Sequence, residues 1–352
     1  MSKQNILILF GGQSAEHEIS LCSAWNVISN LDHDKYELIC VGIDKQGQWF
    51  LQNEQKFLMQ EPFAGSIQLL YSDQQIAVVP GLEKDQLFNF GSKETIHIDV
   101  AIPMLHGPMG EDGTIQGLLE HLNIPYVGPD VLSASVCMDK DVAKRLMQQA
   151  KIPTSDFMTF NKSDDLQIRY DKVIEKLGSP IFIKPANMGS SVGINKVEQE
   201  SEFREAVELA FEHDEKIIIE QFVDGMEVEC AVLGNDSLKV SFPGRYTHSD
   251  SFFAYDTKYL KGNEVGMEIP VEQLSNELIE SIRAISLKAY RVLECKGMAR
   301  VDTFVTKEGA FLVNEVNTIP GFTNTSMYPL LMKHLGMSYS ELLDRLIELA
   351  QE

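Results

Sequence analysis

From Met298 to Thr323 the chain reads Met-Ala-Arg-Val-Asp-Thr-Phe-Val-Thr-Lys-Glu-Gly-Ala-Phe-Leu-Val-Asn-Glu-Val-Asn-Thr-Ile-Pro-Gly-Phe-Thr. This stretch concentrates residue types that hold a hard cation beside an anion. Two β-rich runs, 299–306 and 311–317, flank Lys307-Glu308-Gly309-Ala310, which predicts a hairpin turning at Glu308-Gly309. In that register Asp302 lies opposite Glu315 and Arg300 opposite Asn317, all on one face, with Phe304 and Val313 continuing it. Carboxylate and amide oxygens suit Mg²⁺, which completes its octahedron with phosphate oxygens and water. Arg300 beside them suits an anion. The bland alternative is a surface hairpin with an Asp-Arg ion pair, common and weak. A face that grades from polar to apolar argues against it.

Other charged groups stand at the ends of predicted strands. Asn5 to Phe10 is a continuous apolar run, as in a buried parallel strand, and ends at Gly11-Gly12-Gln13-Ser14 before a helix starting near Ala15. Glycines there let a ligand approach, and the helix N-terminus favours an anion. Glu16 and Glu18 on its first turn would repel a pyrophosphate, and Gly-x-Gly-x-x-Gly is absent, which disfavours a dinucleotide site. Glu16 suits a substrate ammonium, or it simply complements the helix dipole. Tyr36–Ile43 is a second strand, and residues 44–95 are weakly patterned. Ile98–Leu105 is a third strand, opening into the Gly-rich turn His106 to Thr114. There His106 either faces a ligand or caps the strand, with Glu111 and Asp112 beginning a helix at Thr114.

Ile124–Pro129 reads as a short terminal strand, Ser135–Ala150 as a helix containing Met138-Asp139-Lys140, and Ile152-Pro153-Thr154 as a linker. Beyond it, a strand ends in Lys184-Pro185, and Gly189-Ser190-Ser191-Val192-Gly193 follows. A strand-borne lysine with a Gly-Ser loop makes a phosphate clamp of charge, N–H and hydroxyl donors. An unliganded turn is the alternative, and no P-loop string is present. Glu220 ends the apolar run Ile217–Phe222, where a carboxylate needs a partner; nucleotide base and ribose groups are the predicted one. Glu227 and Glu229 follow on the next strand. Arg245–Tyr259 is an irregular aromatic-rich loop, predicted to act as a lid. Leu274–Leu293 and Ser340–Ala350 have the periodicity of amphipathic helices.

A chain of 352 residues suits two or three domains. Its formal charge of -22 disfavours a nucleic-acid partner, which needs a basic face. An ATP site survives this charge, because a few local cations set the field there. No run is long enough to cross a bilayer, and no apolar signal segment follows Met1-Ser2-Lys3-Gln4, so a cytoplasmic protein without membrane association is expected. The five scattered cysteines read as reduced core thiols.

Together these fragments resemble the D-alanine–D-alanine ligases of the ATP-grasp superfamily, essentially end to end. The resemblance rests on Gly11 through Ser20, His106-Gly107 with Glu111-Asp112-Gly113, Met138-Asp139-Lys140, Lys184-Pro185 with Gly189 through Gly193, Lys258-Tyr259, Arg300-Val301-Asp302, and Asn314 through Thr318 with Pro320-Gly321. Each fragment alone is weak, whereas their order and spacing are specific. The resemblance implies an ATP-grasp fold mixing α/β and α+β architecture. An N-terminal Rossmann-like parallel-sheet domain (1–134) would serve the first substrate. A central ATP-grasp subdomain (135–222) and a C-terminal catalytic subdomain (223–352) with lid loop 245–262 would clamp ATP.

The implied reaction joins two D-alanines into D-alanyl-D-alanine through a D-alanyl phosphate, for peptidoglycan precursor synthesis, using ATP and two Mg²⁺ (or Mn²⁺). By resemblance, Lys140, Lys184 and Lys258 contact ATP, Gly189, Ser190 and Ser191 close over its phosphates, and Glu220 and Glu227 hold adenine and ribose. Asp302, Glu315 and Asn317 would ligate the metals. Glu16 would take the first D-alanine's ammonium, and Arg300 with the Gly321 N–H its carboxylate oxygen. Ser326 would bind the second carboxylate, with His106 nearby, and Ser190 with Tyr259 would link the lid to the first-substrate site. Members that use D-lactate tend to carry His where Tyr259 stands, which favours an amine acceptor. D-alanine–D-lactate and D-alanine–D-serine ligases are the alternatives. A nucleotide-binding module without turnover would not need this whole set. The family also implies a homodimer through the first domain.

Overall fold

The protein is described from a computed structural model covering residues 3–189, 192–247 and 266–352. An unbroken apolar run must bury both faces of its strand, and the centre of a covered parallel sheet does this. β1 (Gln4–Gly11) pairs in parallel with β2 (Tyr36–Ile43), and β3 (Trp49–Leu51) adds to β2 antiparallel. The weakly patterned stretch folds into a three-stranded antiparallel sheet of β4 (Ile76–Val78), β5 (Leu87–Asn89) and β6 (Glu94–Ile96). β7 (Val100–Met104) then pairs in parallel with the free edge of β1, giving the order β3-β2-β1-β7. The strand expected at Ile124–Pro129 is only a single bridge from Tyr126 to Ala101. Pro125 and Pro129 lack the N–H groups a ladder needs.

Alternation along β1 divides two cores. Ile6, Ile8 and Phe10 pack with Leu21, Ala24 and Val27 of the helix His17–Asn30, and with Tyr328, Leu331, Leu342 and Leu346 of the last two helices, Met327–His334 and Tyr339–Leu349. Leu7 and Leu9 face Ile115 and Leu119 of the helix Thr114–His121. The chain's C-terminal end thus closes back on its first sheet.

A second sheet, antiparallel throughout, has β8 (Phe157–Asn161), β9 (Ile181–Pro185), β10 (Asn195–Val197) and β11 (Lys216–Gln221) in the order β10-β9-β11-β8. A third contains β12 (Gly225–Leu233) and β13 (Lys239–Val240). Between them and its other half lies a small ribbon of β14 (Arg245–Thr247) and β15 (Gly266–Glu268), so the first residues of the expected lid loop are strand. β16 (Met298–Thr306) and β17 (Phe311–Asn317) complete the third sheet in the order β13-β12-β16-β17. The single helix expected over Ser135–Ala150 is two, Val131–Met138 and Lys140–Gln149, because Asp139 is extended (φ -83°, ψ 99°) and its side chain caps Val142 N–H at 3.1 Å. This break puts Lys140 on a helix's first turn. Cys137, Ala143 and Met147 join the core beneath β16 and β17.

The hairpin of β16 and β17 departs from expectation twice, and the departures cancel at its far end. Its loop has three residues, Lys307 to Gly309, closed by Thr306 N–H to Ala310 O at 2.8 Å with Gly309 at φ 82°. Asn314 is then an extra, bulged residue: Thr303 faces Val313 and Phe304 faces Leu312, yet Asp302 still faces Glu315 and Arg300 faces Asn317. Val313 consequently turns into the core with Val301 and Val305, and does not continue the site face.

Candidate active site

Alternation on three adjacent strands builds one polar face. Glu229 of β12 lies opposite Asp302 of β16, which lies opposite Glu315 of β17. The Arg300 guanidinium grips Asp302 through Nε at 2.7 Å and Nη2 at 2.6 Å, and Nε is 2.9 Å from Glu229 Oε2. Asn317 Nδ2 donates to Asp302 Oδ2 at 3.0 Å. With Asp302 3 % exposed, this is no surface ion pair. Burial pushes the Asp302 carboxyl up to about 8, opposed by Arg300 and assisted by Glu229 and Glu227. The bulged Asn314 reaches Glu227 Oε1 at 3.1 Å.

The donor set fits a hard divalent cation. Asp302, Glu315 and Asn317 offer only oxygens suited to Mg²⁺, and the surrounding carboxylates leave an excess of negative charge for cations to offset. Among the described residues, no three acidic, histidine or cysteine side chains converge on one point, so remaining ligands would come from phosphate and water.

Opposite this face stand the lysines. Lys140 Nζ donates to Met188 O at 2.6 Å and sits 3.7 Å from Glu315 Oε2. Lys184 Nζ is 2.7 Å from Glu220 Oε2, while Lys144, itself buried, meets Glu220 Oε1 at 3.1 Å and Ser155 Oγ at 3.0 Å. Burial raises the Glu220 carboxyl, but Lys144 and Lys184 outweigh it and hold it down at about 2. Glu220 therefore has two protein cations as partners, where a nucleotide was expected to supply them.

Glu16 closes the cleft at the first sheet. Gly11 and Gly12 turn with φ 91° and 90°, and a side chain on Gly11 would strike Ile43 O. The turn delivers Glu16, 8 % exposed, between Gly107 and Gly189: a Cβ on either would lie 2.4 Å or 2.8 Å from Glu16 Oε2. Lys45 neutralises Glu18 at 3.0 Å. Glu111 accepts from Gly107 N–H at 2.7 Å and Ile319 N–H at 3.2 Å, tying the Gly-rich turn to the loop after β17. Burial, then repulsion from Glu16, raises its carboxyl to about 8.

Glu16, His106, Lys140, Lys184, Gly189, Glu220, Glu227, Arg300, Asp302, Glu315, Asn317 and Gly321 thus line one cavity of about 550 Å³. Ser326 lies beyond its wall, buried, with Oγ accepting from Thr323 N–H at 3.0 Å. Ser190, Ser191, Lys258 and Tyr259 lie outside the described residues.

Two family models cover most of the chain: D-ala D-ala ligase N-terminus over residues 5–129 and D-ala D-ala ligase C-terminus over 146–348. The chain belongs to the D-alanine–D-alanine ligase family. It is 45% identical to the D-alanine–D-alanine ligase of Proteus mirabilis across 100% of this chain and 96% of that protein. Identity to D-alanine–D-alanine ligase A of Escherichia coli K12 is also 45%, over 100% and 97%. Among solved structures, the Coxiella burnetii D-alanine–D-alanine ligase matches with TM-score 0.86 and 37% identity over 99% of this chain and 94% of that one. The VanG D-Ala:D-Ser ligase of Enterococcus faecalis matches with TM-score 0.86 and 39% identity over 99% and 100%. The ATP-grasp fold inferred from the sequence is borne out.

Several residues in and behind this ligase's cleft make contacts to which the sequence assigned no role. Lys144 is one turn beyond Lys140 and shares the buried side of that helix with Ala143 and Met147, a spacing that signals a lysine turned inward. Glu229 shares a strand face with Glu227, which alternation alone reveals. Asn314 and Ser23 carried no local signal, since one depends on a bulge and the other on contacts across the chain.

Proposed function

We propose that this ligase activates the carboxylate of one D-alanine with ATP and passes the D-alanyl group to the amine of a second. The observation that carries the reading is the single cavity in which Asp302, Glu315 and Asn317 face Lys140 and Lys184, with Glu16 and Gly321 at its end. The ATP phosphates would lie along the two lysines. Lys184 can exchange Glu220 for phosphate because Lys144 remains as that carboxylate's counter-ion. The side of Glu220 so released, with Glu227, would hold adenine and ribose. Asp302, Glu315 and Asn317 would hold two Mg²⁺ (or Mn²⁺), which when bound supply charge neutralisation around the γ-phosphoryl.

The first D-alanine would set its ammonium on Glu16 and its carboxylate on Arg300 and the Gly321 N–H. The hydrogen bonds from Arg300 to Asp302 engage Nε and Nη2, Glu229 is paired with it through charge at 2.9 Å, and among the described residues Nη1 donates to none, so it would be left for substrate. A carboxylate oxygen attacks the γ-phosphorus, the O–P bond forms, and the bond to ADP breaks. The lone pair of the second amine then attacks the carbonyl carbon. The C–N bond forms, phosphate leaves with its electron pair, and the proton the amine loses passes to that phosphate. Arg300 and the Gly321 N–H receive the charge that builds on the carbonyl oxygen, a contribution worth about 3 kcal/mol per donor. Ser326 would orient the second carboxylate, and Ser190, Ser191, Lys258 and Tyr259 would close the lid.

Similarity to a D-Ala:D-Ser ligase makes the acceptor the point to test. ADP formation against D-alanine, D-serine and D-lactate, singly and in pairs, should be fastest with D-alanine alone. Faster turnover with D-alanine plus D-serine would transfer the reading to that acceptor. Glu315→Gln should abolish phosphate release while leaving the fold intact; near-normal release would remove the metal assignment. Assembly as a homodimer through residues 1–134, in the cytoplasm, belongs to the same proposal, and sedimentation as a monomer would remove the dimer.

A further inference from the structure

Ser23 lies on the buried face of the helix His17–Asn30, is 0 % exposed, and has no part in the substrate contacts above. Its hydroxyl bridges two distant segments: His106 Nε2 at 2.9 Å, just past β7, and Phe322 N–H at 3.3 Å, in the loop after β17. The other ring nitrogen, His106 Nδ1, lies 3.1 Å from Ile319 O.

Chemistry orders the protons along this chain. A carbonyl only accepts, so Nδ1 carries the hydrogen. The ring is neutral: burial drives its pKa down to about 4, with Arg300 assisting and the bond to Ile319 opposing. Nε2 is then a lone pair and accepts from the Ser23 hydroxyl, whose oxygen accepts from Phe322 N–H. Both ring nitrogens are engaged, so His106 here is a strut between helix and loop.

The loop it braces is held on both sides of one amide. Glu111 takes the Ile319 N–H at 3.2 Å, and the Tyr339 hydroxyl donates to Phe322 O. Pro320 has no N–H, and the Thr323 N–H goes to Ser326 Oγ. Among the described residues the Gly321 N–H has no partner. These anchors fix the loop and leave that donor for a ligand.

We infer that Ser23 is a positioning residue for the ligation, locking the His106 tautomer and, through His106 and Phe322, the loop that presents Gly321 to the reacting carboxyl. This rests on the role given to Gly321 above.

The test uses the full-length enzyme with both substrates. Ser23→Ala should lower kcat about tenfold, the order expected for one lost buried hydrogen bond, while KM for ATP stays within about twofold. Imidazole ¹⁵N spectra of the unaltered enzyme should show His106 as the neutral Nδ1–H tautomer from about pH 5.5 upward. They remain informative even if the variant does not fold. An Nε2–H tautomer, an imidazolium near neutral pH, or an undiminished kcat in Ser23→Ala each overturns the inference. Gly321→Pro deletes the amide hydrogen and tests the underlying reading separately. Undiminished turnover there overturns both, whereas full activity in Ser23→Ala alone leaves the role of Gly321 standing.

Discussion

Replacing Lys144 by methionine probes how the end of the cleft proposed to take phosphate is held. The Lys144 side chain is 1 % exposed, and its ammonium lies 3.1 Å from Glu220 and 3.0 Å from Ser155 Oγ. Methionine fills nearly the same space, so packing changes little. What disappears is one of two cations that keep Glu220 ionised away from water. Breaking a buried pair outright costs about 3–5 kcal/mol, and because Lys184 stays at 2.7 Å the expected loss is the smaller figure of about 2 kcal/mol. Glu220→Gln is the harsher change. It leaves two ammonium groups around one neutral amide, and the full ~3–5 kcal/mol applies. In the double variant a single ammonium faces that amide, so the combined loss should fall short of the sum by about 1–3 kcal/mol. Urea unfolding of the four proteins measures all three values. Lys144→Met should also raise KM for ATP, since Lys184 becomes the sole counter-ion of Glu220 and yields less readily to phosphate. Additive losses, or Glu220→Gln milder than Lys144→Met, would refute the reasoning.

Two further outcomes follow from the same geometry. Burial lowers the pKa of His106 from 6.5 to about 4, so as pH falls below 6.5 the unfolded chain takes up a proton that the folded chain refuses. Stability attributable to this group is intact above pH 6.5 and declines by roughly 3 kcal/mol down to about pH 4; His106→Asn should lose that part of the slope in pH-dependent urea unfolding, and identical slopes would contradict it. Gly189→Ala places a methyl 2.8 Å from Glu16 Oε2, so KM for the first D-alanine should rise about tenfold. Isothermal titration with D-alanine measures this, and an unchanged amino-acid affinity counts against the Glu16–Gly189 contact.

Local patterning made much of this molecule readable. The run from Ile6 to Phe10 is apolar at every position because β1 is covered on both faces, and Tyr36–Ile43 was legible for a related reason. Residues 44–95 were opaque because their strands have three residues each, too short to show a period. The pairing of Asp302 with Glu315 was predicted from a two-residue turn that does not exist. A longer loop and the Asn314 bulge offset each other, so the site end of the hairpin came out in register while Val313 was assigned the wrong face. The helix over Ser135–Ala150 hid its break because Asp139 interrupts the backbone without interrupting the apolar spacing. Glu220 was rightly suspected of needing a partner, but Lys144 and Lys184 come from a different helix and a neighbouring strand, and no local window contains all three.

The charge of the cleft explains why a chain with net charge -22 can take ATP at all. Glu227, Glu229, Asp302 and Glu315 share one wall with the guanidinium of Arg300, which is already bound to two of them, and the other guanidinium lining the cavity among the described residues, Arg245, is paired with Glu268. A phosphate charge brought within ~4 Å of one such carboxylate is repelled by about 4 kcal/mol at an effective dielectric of 20. Lys140 and Lys184 cannot offset several such terms, since each already touches a carboxylate. The divalent cations proposed above, held by Asp302, Glu315 and Asn317, would turn the same carboxylates from a barrier into ligands. On that proposal the wall would favour nucleotide that arrives with its metal over nucleotide without it, and would make the oxygen cluster on β16 and β17 a condition of binding as well as of chemistry.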